Sequence, residues 1–207
     1  MSAIAAYRTS VLALLCDASA AIFSTNDVDQ SLRWALSEYS LRRPVIRTYS
    51  FDVDDTTSTF LLPADFITRQ ITKVELYDDD PDQVCELPFV ANYYDEGWVI
   101  HSLDYEIAAG GVLTIYYSDV HQIDGLDSAA GTTIPAADET LLQTGAAGHA
   151  AQMHASSKVE TINMNNDVVL LYRDLARDFL TSFNAGILKE PGIAVAAITF
   201  PDISMVF

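Results

Sequence analysis

The apolar residues of this chain change their repeat twice, and that double change limits the fold more than any single motif does. From Ser2 to Phe23, Ile4, Tyr7, Val11, Leu14 or Leu15, and Ala18 recur at intervals of three and four, which describes one face of a helix. A cap-like Ser24-Thr25-Asn26-Asp27 precedes a second helical run, Val28, Leu32, Ala35, Leu36 and Tyr39. That run stops before Pro44, because proline disfavours helical backbone in the residue ahead of it. From Val45 the repeat falls to two. VIRTYSF, STFLL, ITKVELY, FVANYY, GWVIHS and VLTIYY are β-branched and aromatic, and DDTT, DDDPD, DEG and AAGG separate them with turn formers. Helical spacing returns after Pro135 in PAADETLLQTGAAGHAAQMHA. A last helix follows, with Asn166 as its N-cap and Val168, Leu171, Tyr172, Leu175, Phe179 and Phe183 on its repeat, ending near Lys189.

These repeats predict an α+β protein: a helical bundle of two N-terminal and two C-terminal helices, with an inserted antiparallel β lobe and an extended C-terminal arm. The expected boundaries are 1–44 for the N-terminal helices, 45–120 for the β lobe, 121–189 for a loop and the C-terminal helices, and 190–207 for the arm. Two prolines and a run of β-branched and small residues make the arm extended. Pro191, Ile193, Val195, Ile198, Phe200, Ile203 and Phe207 give it an apolar character that fits packing on a neighbouring subunit or partner. Gly145 and Gly148 weaken the third helix, so another backbone is expected to approach it closely there.

Charge narrows the function. The chain has 207 residues, with 29 Asp and Glu against 11 Lys and Arg, for a formal net charge of -18. Holding nucleic acid by its phosphates needs clustered bases, so DNA or RNA binding of that kind is excluded. Between Lys73 and Lys158 there is no Lys or Arg, which gives the middle of the chain a negative field. Half the residues are hydrophobic and only 19% are charged, which suggests surface hidden in an oligomer. Cys16 and Cys85 have no paired spacing, consistent with a reducing cytosol. No apolar stretch approaches the ~20 residues of a membrane span, and VLALLC is closed by Asp17, so no membrane partner is expected.

One stretch suggests chemistry. FDVDDTTST resembles the opening motif of the haloacid dehalogenase phosphatases, which would make Asp52 a nucleophile and Asp54 a general acid/base. That motif works at the end of a buried parallel strand beside Mg²⁺. Here the flanks read as two strands, so Asp54 and Asp55 are expected in a hairpin turn, with no βαβ alternation around them. His149 and His154, five apart, point to different faces of a helix and read as surface or interface residues. DVHQIDGLD lacks the ligand pattern of a calcium loop and reads as a solvated loop. Tyr93, Tyr94, Trp98, Tyr116 and Tyr117 are expected to fill the lobe's core, the alternative being a carbohydrate- or protein-binding β module. No catalytic residue, metal or cofactor is expected.

The order of signals as a whole resembles the head-to-tail adaptor, or neck, proteins of tailed bacteriophages and prophages. VDQSLRWALSEYSLRRP, then TFLLPADF, NYYDEGWVI and VLTIYYSDVHQIDGLDSAAGTTIPAADETLLQTGAAGHAA carry the likeness, over roughly Asp27 to Phe183. The resemblance implies a structural virion protein at the head-tail junction, made in the host cytoplasm and not an enzyme. Such proteins form a homo-oligomeric ring, typically dodecameric, that docks on the portal protein, extends the DNA channel without binding DNA specifically, and offers tail or neck proteins a docking surface. In that setting the arm would anchor to the portal, and Gly145 and Gly148 would allow tight helix contact. Arg42, Arg43 and Arg47, bases being scarce, would pair with acids across the subunit boundary or else serve as a helix-end cap and solvent contacts. A tail terminator or a head-completion stopper is the rival within the same particle.

Overall fold

In a computed structural model the chain is an α+β protein with four helices and antiparallel sheets. The structure describes residues 2–63, 66, 70–77, 84–94, 97–103, 106–159 and 166–189. The expected arm, with Pro191, Ile193, Val195, Ile198, Phe200, Ile203 and Phe207, lies outside the described residues, as does the DDDPD run. There are two compact units. One takes the chain up to Val45 and again from Val120; the other is Ile46–Asp119.

The first unit holds α1 (Ile4–Leu14), α2 (Thr25–Arg42), α3 (Glu139–Val159) and α4 (Asn166–Lys189). Helix α1 stops well short of Phe23, where the apolar spacing had carried it. Cys16 and Ala20 have φ of 56° and 53°, and the Asp17 carboxylate accepts the backbone N–H groups of Ala21, Ile22 and Phe23 at 2.9, 2.8 and 2.9 Å. A buried aspartate thus competes with the helix for the backbone and turns the chain, so that Phe23 re-enters the core. Those N–H groups, Phe23's first, hold its carboxyl below the usual carboxylate range. Ser24 and Asp27 then cap α2 reciprocally, each side chain accepting the other's backbone N–H, at 3.2 and 3.0 Å.

Helix α3 is the centre of this unit. Residues 145–151 are buried without a break, because α1, α2 and α4 all pack on it. Glycine and alanine supply most of that stretch, and small side chains let three helices approach from different sides. A stretch buried all round has no polar face to show, which is why the sequence of 145–151 lacks a clear stripe. Helix α4 presents Ala176, Phe183 and Ile187 to this core, with Tyr172, Leu175 and Phe179 at its margin. The segment 120–135 is not a solvated loop: Ile123, Leu126 and Ile134 plug into the helical core and His121 is buried beside them.

The second unit is built on β1 (Val45–Asp52), β2 (Thr59–Leu61), β3 (Gln70–Tyr77), β4 (Val84–Glu86), β5 (Phe89–Tyr94), β6 (Gly97–Ser102) and β7 (Val112–Asp119). Four strands order as β1-β7-β3-β4 and three as β2-β6-β5. The described registers are antiparallel, with Gln70 opposite Ser118 and Tyr77 opposite Val112 along β3 and β7. Val74, Leu113, Ile115 and Tyr117 from one sheet and Phe60 and Ile100 from the other share a single apolar core. The expected hairpin at Asp54 and Asp55 is corrected here. Strands β1 and β2 belong to different sheets, so those turn formers carry the chain from one sheet to the next. The alternation marked both strands but not their partners.

Candidate functional site

The densest polar cluster gathers the end of α2, the 120–135 segment, the 3₁₀ turn Ala136–Asp138 and the end of α4. Arg43, the residue that closes α2, is its hub. Its Nη1 lies 3.1 Å from Asp138 Oδ2, and its Nη2 donates to the carbonyls of Gly186 and Ile187 at 3.0 Å each. A cation against the last carbonyls of α4 answers the negative end of that helix. Tyr39 donates to the same Asp138 oxygen at 2.5 Å, and burial together with that carboxylate pushes its hydroxyl up to about 12. His121 Nε2 lies 2.9 Å from the Arg43 carbonyl, so this nitrogen carries the proton. Nδ1 then accepts from the Thr133 hydroxyl at 3.1 Å, and that hydroxyl in turn accepts the Gln122 N–H at 2.8 Å.

The bonded groups of this cluster are turned toward one another. A catalytic constellation leaves a nucleophile or base facing open space; this one is closed on itself and acts as a clamp. Burial holds His121 below the usual histidine value. The unfolded chain therefore takes up a proton first, and stability should be full above about pH 7 and fall as the pH drops through about 6.5. Thermal midpoints between pH 8 and 5 test this. His121→Gln should lower the midpoint overall and flatten its pH slope, whereas a wild-type midpoint unchanged over that range would contradict the burial argument.

Several of the bases are paired within the chain. Arg8 grips Asp29 through two bonds of 2.7 Å, Arg33 grips Asp127, Arg43 meets Asp138 and Arg47 meets Asp119 at 2.8 Å. In the β unit Lys73 pairs with Glu75, whose other oxygen accepts from Tyr77 and Tyr116 at 3.0 and 2.6 Å. Arg43 and Arg47 thus have acid partners in their own chain. Arg42 is exposed at the end of α2. Gly145 and Gly148 also meet their own chain: a Cβ on Gly145 would stand 2.8 Å from the ring of Phe183, and one on Gly148 2.8 Å from Leu180 Cγ. Helix α4 approaches at both, with backbone only at Gly148, where Leu180 N would lie 3.1 Å from the Cβ; at Gly145 the neighbour is a side chain, not the backbone expected.

The histidines of α3 are corrected as well. His149 is buried beside Trp34, with Nε2 3.5 Å from Glu38 of α2, and burial holds it low. His154 stacks between Phe23 and Tyr172, at ring distances of 5.2 and 4.6 Å. His149 is thus not a surface residue, and His154 is half-buried. Tyr117 does fill the β core, but Tyr116 turns its hydroxyl to Glu75, and the side chains of Tyr93, Tyr94 and Trp98 lie outside the described residues. Asp52 closes β1 and is exposed. Among the described residues no group of three or more His, Cys, Asp or Glu is placed to hold a metal ion.

The helical unit leaves several large apolar side chains uncovered. Trp34 and Leu41, seven apart on one face of α2, are 42% and 81% exposed, and Leu171 and Leu188 of α4 are 64% and 69% exposed. An open groove of about 580 Å³ also runs beside α2, lined by Arg33, Leu36, Ser37, Val120, Gln122 and Ala129 among others. Sequence reasoning missed Asp138, Tyr39 and His121 as partners of Arg43, since nothing in their spacing announces a cluster drawn from three separate segments. Compared with known proteins, the chain matches no family model and no curated protein at a significant level.

Proposed function

We propose that this chain is the subunit of a head-to-tail adaptor ring, docking on a phage portal, extending its DNA channel and presenting a surface to the tail. The observation that carries the reading is large apolar side chains left in water on α2 and α4 of a strongly acidic chain. Leucine and tryptophan exposed on helices fit a subunit that closes against copies of itself. Acids in excess, with the bases Arg8, Arg33, Arg43, Arg47 and Lys73 already neutralised by the same chain, suit a passage through which DNA slides without sticking. In this reading the four helices are the ring-building bundle, the β unit is a lobe inserted between α2 and α3, and the segment beyond Lys189 is the arm that anchors to the portal. The order of sequence signals shared with adaptor proteins supports it.

The test is the mass of the purified chain, alone and mixed with its portal, by native mass spectrometry or light scattering. Growth to a twelvefold complex on the portal is the expected result. A sixfold ring that ignores the portal would point instead to a tail terminator, and a monomer indifferent to the portal would overturn the reading.

A further inference from the structure

The first helix has the sequence of a longer one. Ile4, Tyr7, Val11, Leu15, Ala18 and Ile22 keep one repeat of threes and fours, and Ala18, Ala20 and Ala21 are strong helix formers. Helix α1 nevertheless ends at Leu14. Cys16 and Ala20 take left-handed backbone, at φ of 56° and 53°, where a residue with a Cβ is disfavoured. Ile22, on the same repeat, is left 47% exposed. What holds the turn against this preference is the buried Asp17 carboxylate, through its bonds to Ala21, Ile22 and Phe23. The capping box that starts α2 uses Ser24 and Asp27 alone, so α2 begins at the same place with or without the turn.

The other contacts of this end of the chain are made with distant residues. Tyr7, Val11 and Leu15 are buried in the helical core, the Ile4 N–H donates to the Asp124 carbonyl at 2.9 Å, the Ser2 hydroxyl donates to Glu139 at 2.8 Å, and Arg8 grips Asp29 of α2. Each of these would be the same if α1 came from a second copy. Only the residues between α1 and α2 distinguish the two arrangements. We propose that copies of this chain associate by exchanging α1, each copy seating its first helix on α2, α3 and the 120–135 segment of another. In the exchanged form residues 15–22 continue α1 as helix. That removes both left-handed residues, returns Ile22 to the apolar repeat, and passes the N–H groups of Ala21 and Ile22 from the Asp17 carboxylate to backbone carbonyls one turn back. The turn at Asp17 is thus a latch that keeps α1 on its own chain. Exchange of this kind does not depend on the adaptor reading: between two copies it gives a dimer, and passed from copy to copy it closes a ring.

Two charge reversals test the exchange itself. Arg8→Asp sets two acids against each other across the α1–α2 contact, and Asp29→Arg sets two bases there, so each full-length variant alone has a like-charge pair wherever its α1 is seated. In an equal mixture, exchange puts the altered helix of one variant on the altered seat of the other and restores both pairs. Native mass spectrometry of the mixture, with one variant isotopically labelled, should show mixed assemblies at least about tenfold in excess of either variant's own. Two hinge variants should move wild-type association in opposite directions, read by light scattering over a concentration series. Ala20→Gly eases the left-handed turn and weakens the continued helix, and should lower the associated fraction at least about fivefold, whereas Asp17→Ala removes the latch and should raise it by a similar factor. Ala20→Gly keeps every bond of the latch, so it reads the exchange even where Asp17→Ala folds poorly. Charge variants that stay apart on mixing, or that associate with no preference for each other, would overturn the inference. So would a wild-type chain that is monomeric throughout the series, or association indifferent to Ala20→Gly.

Discussion

Phe183→Ala should lower the free energy of unfolding by about 3–5 kcal/mol, measured by urea denaturation, because it empties a fully buried aromatic site at the α3–α4 contact. The informative experiment is the cycle with Gly145. In the wild-type background Gly145→Ala places a methyl 2.8 Å from the Phe183 ring, and the ring must shift. Overpacking of that kind costs about 1–3 kcal/mol, more than the roughly 1 kcal/mol an alanine gains over glycine in a helix. With the ring removed, the same methyl enters vacated space and the helix preference remains. Gly145→Ala should therefore be neutral or stabilising in the Phe183→Ala protein, a change of sign that only direct contact produces. Equal effects in both backgrounds would mean that this glycine serves something other than α4.

Arg43→Met should be nearly as severe, lowering stability by about 3 kcal/mol. The side chain of Arg43 is 12% exposed and that of Asp138 19%, so the substitution strands a carboxylate and two helix-end carbonyls away from solvent. Arg42→Met, one residue away and exposed, should change stability by no more than about 0.5 kcal/mol. If the two substitutions matched, the clamp would contribute little. The contrast also bears on assembly, since a base already committed to Asp138 and α4 has little left to offer a neighbouring subunit.

The strands and helices that were legible in the sequence are those whose apolar side chains face one way. Val28, Leu32, Ala35 and Tyr39 sit on one stripe because α2 has one buried side, and the strands of β3 and β7 alternate because one face of their sheet meets the core. Helix α3 hides its role for the opposite reason, being surrounded. The end of α1 was misread because one buried carboxylate outweighs a repeat that continued past it. Pairing was illegible: nothing in VIRTYSF and STFLL says that they join different sheets, since turn formers serve hairpins and sheet changes alike. The Arg43 clamp was half visible. A base at a helix end was expected, but its acid arrives from nearly a hundred positions away in sequence.

The central place of α3 also sets an order of events in time. Helices α1 and α2 are complete when Arg42 leaves the ribosome, yet the helix they pack on is not made until the whole of Ile46–Asp119 has been synthesised. Until then Val28, Leu32 and Tyr39 lack the α3 residues that complete their cover, with α1 alone beside them, and the nascent protein carries a half-covered apolar stripe. A β unit that folds early shortens the gap, because it replaces a long flexible closure by a compact body with tethered ends. Residues buried in Ile46–Asp119 thus govern how long the first two helices wait, although they belong to a different core.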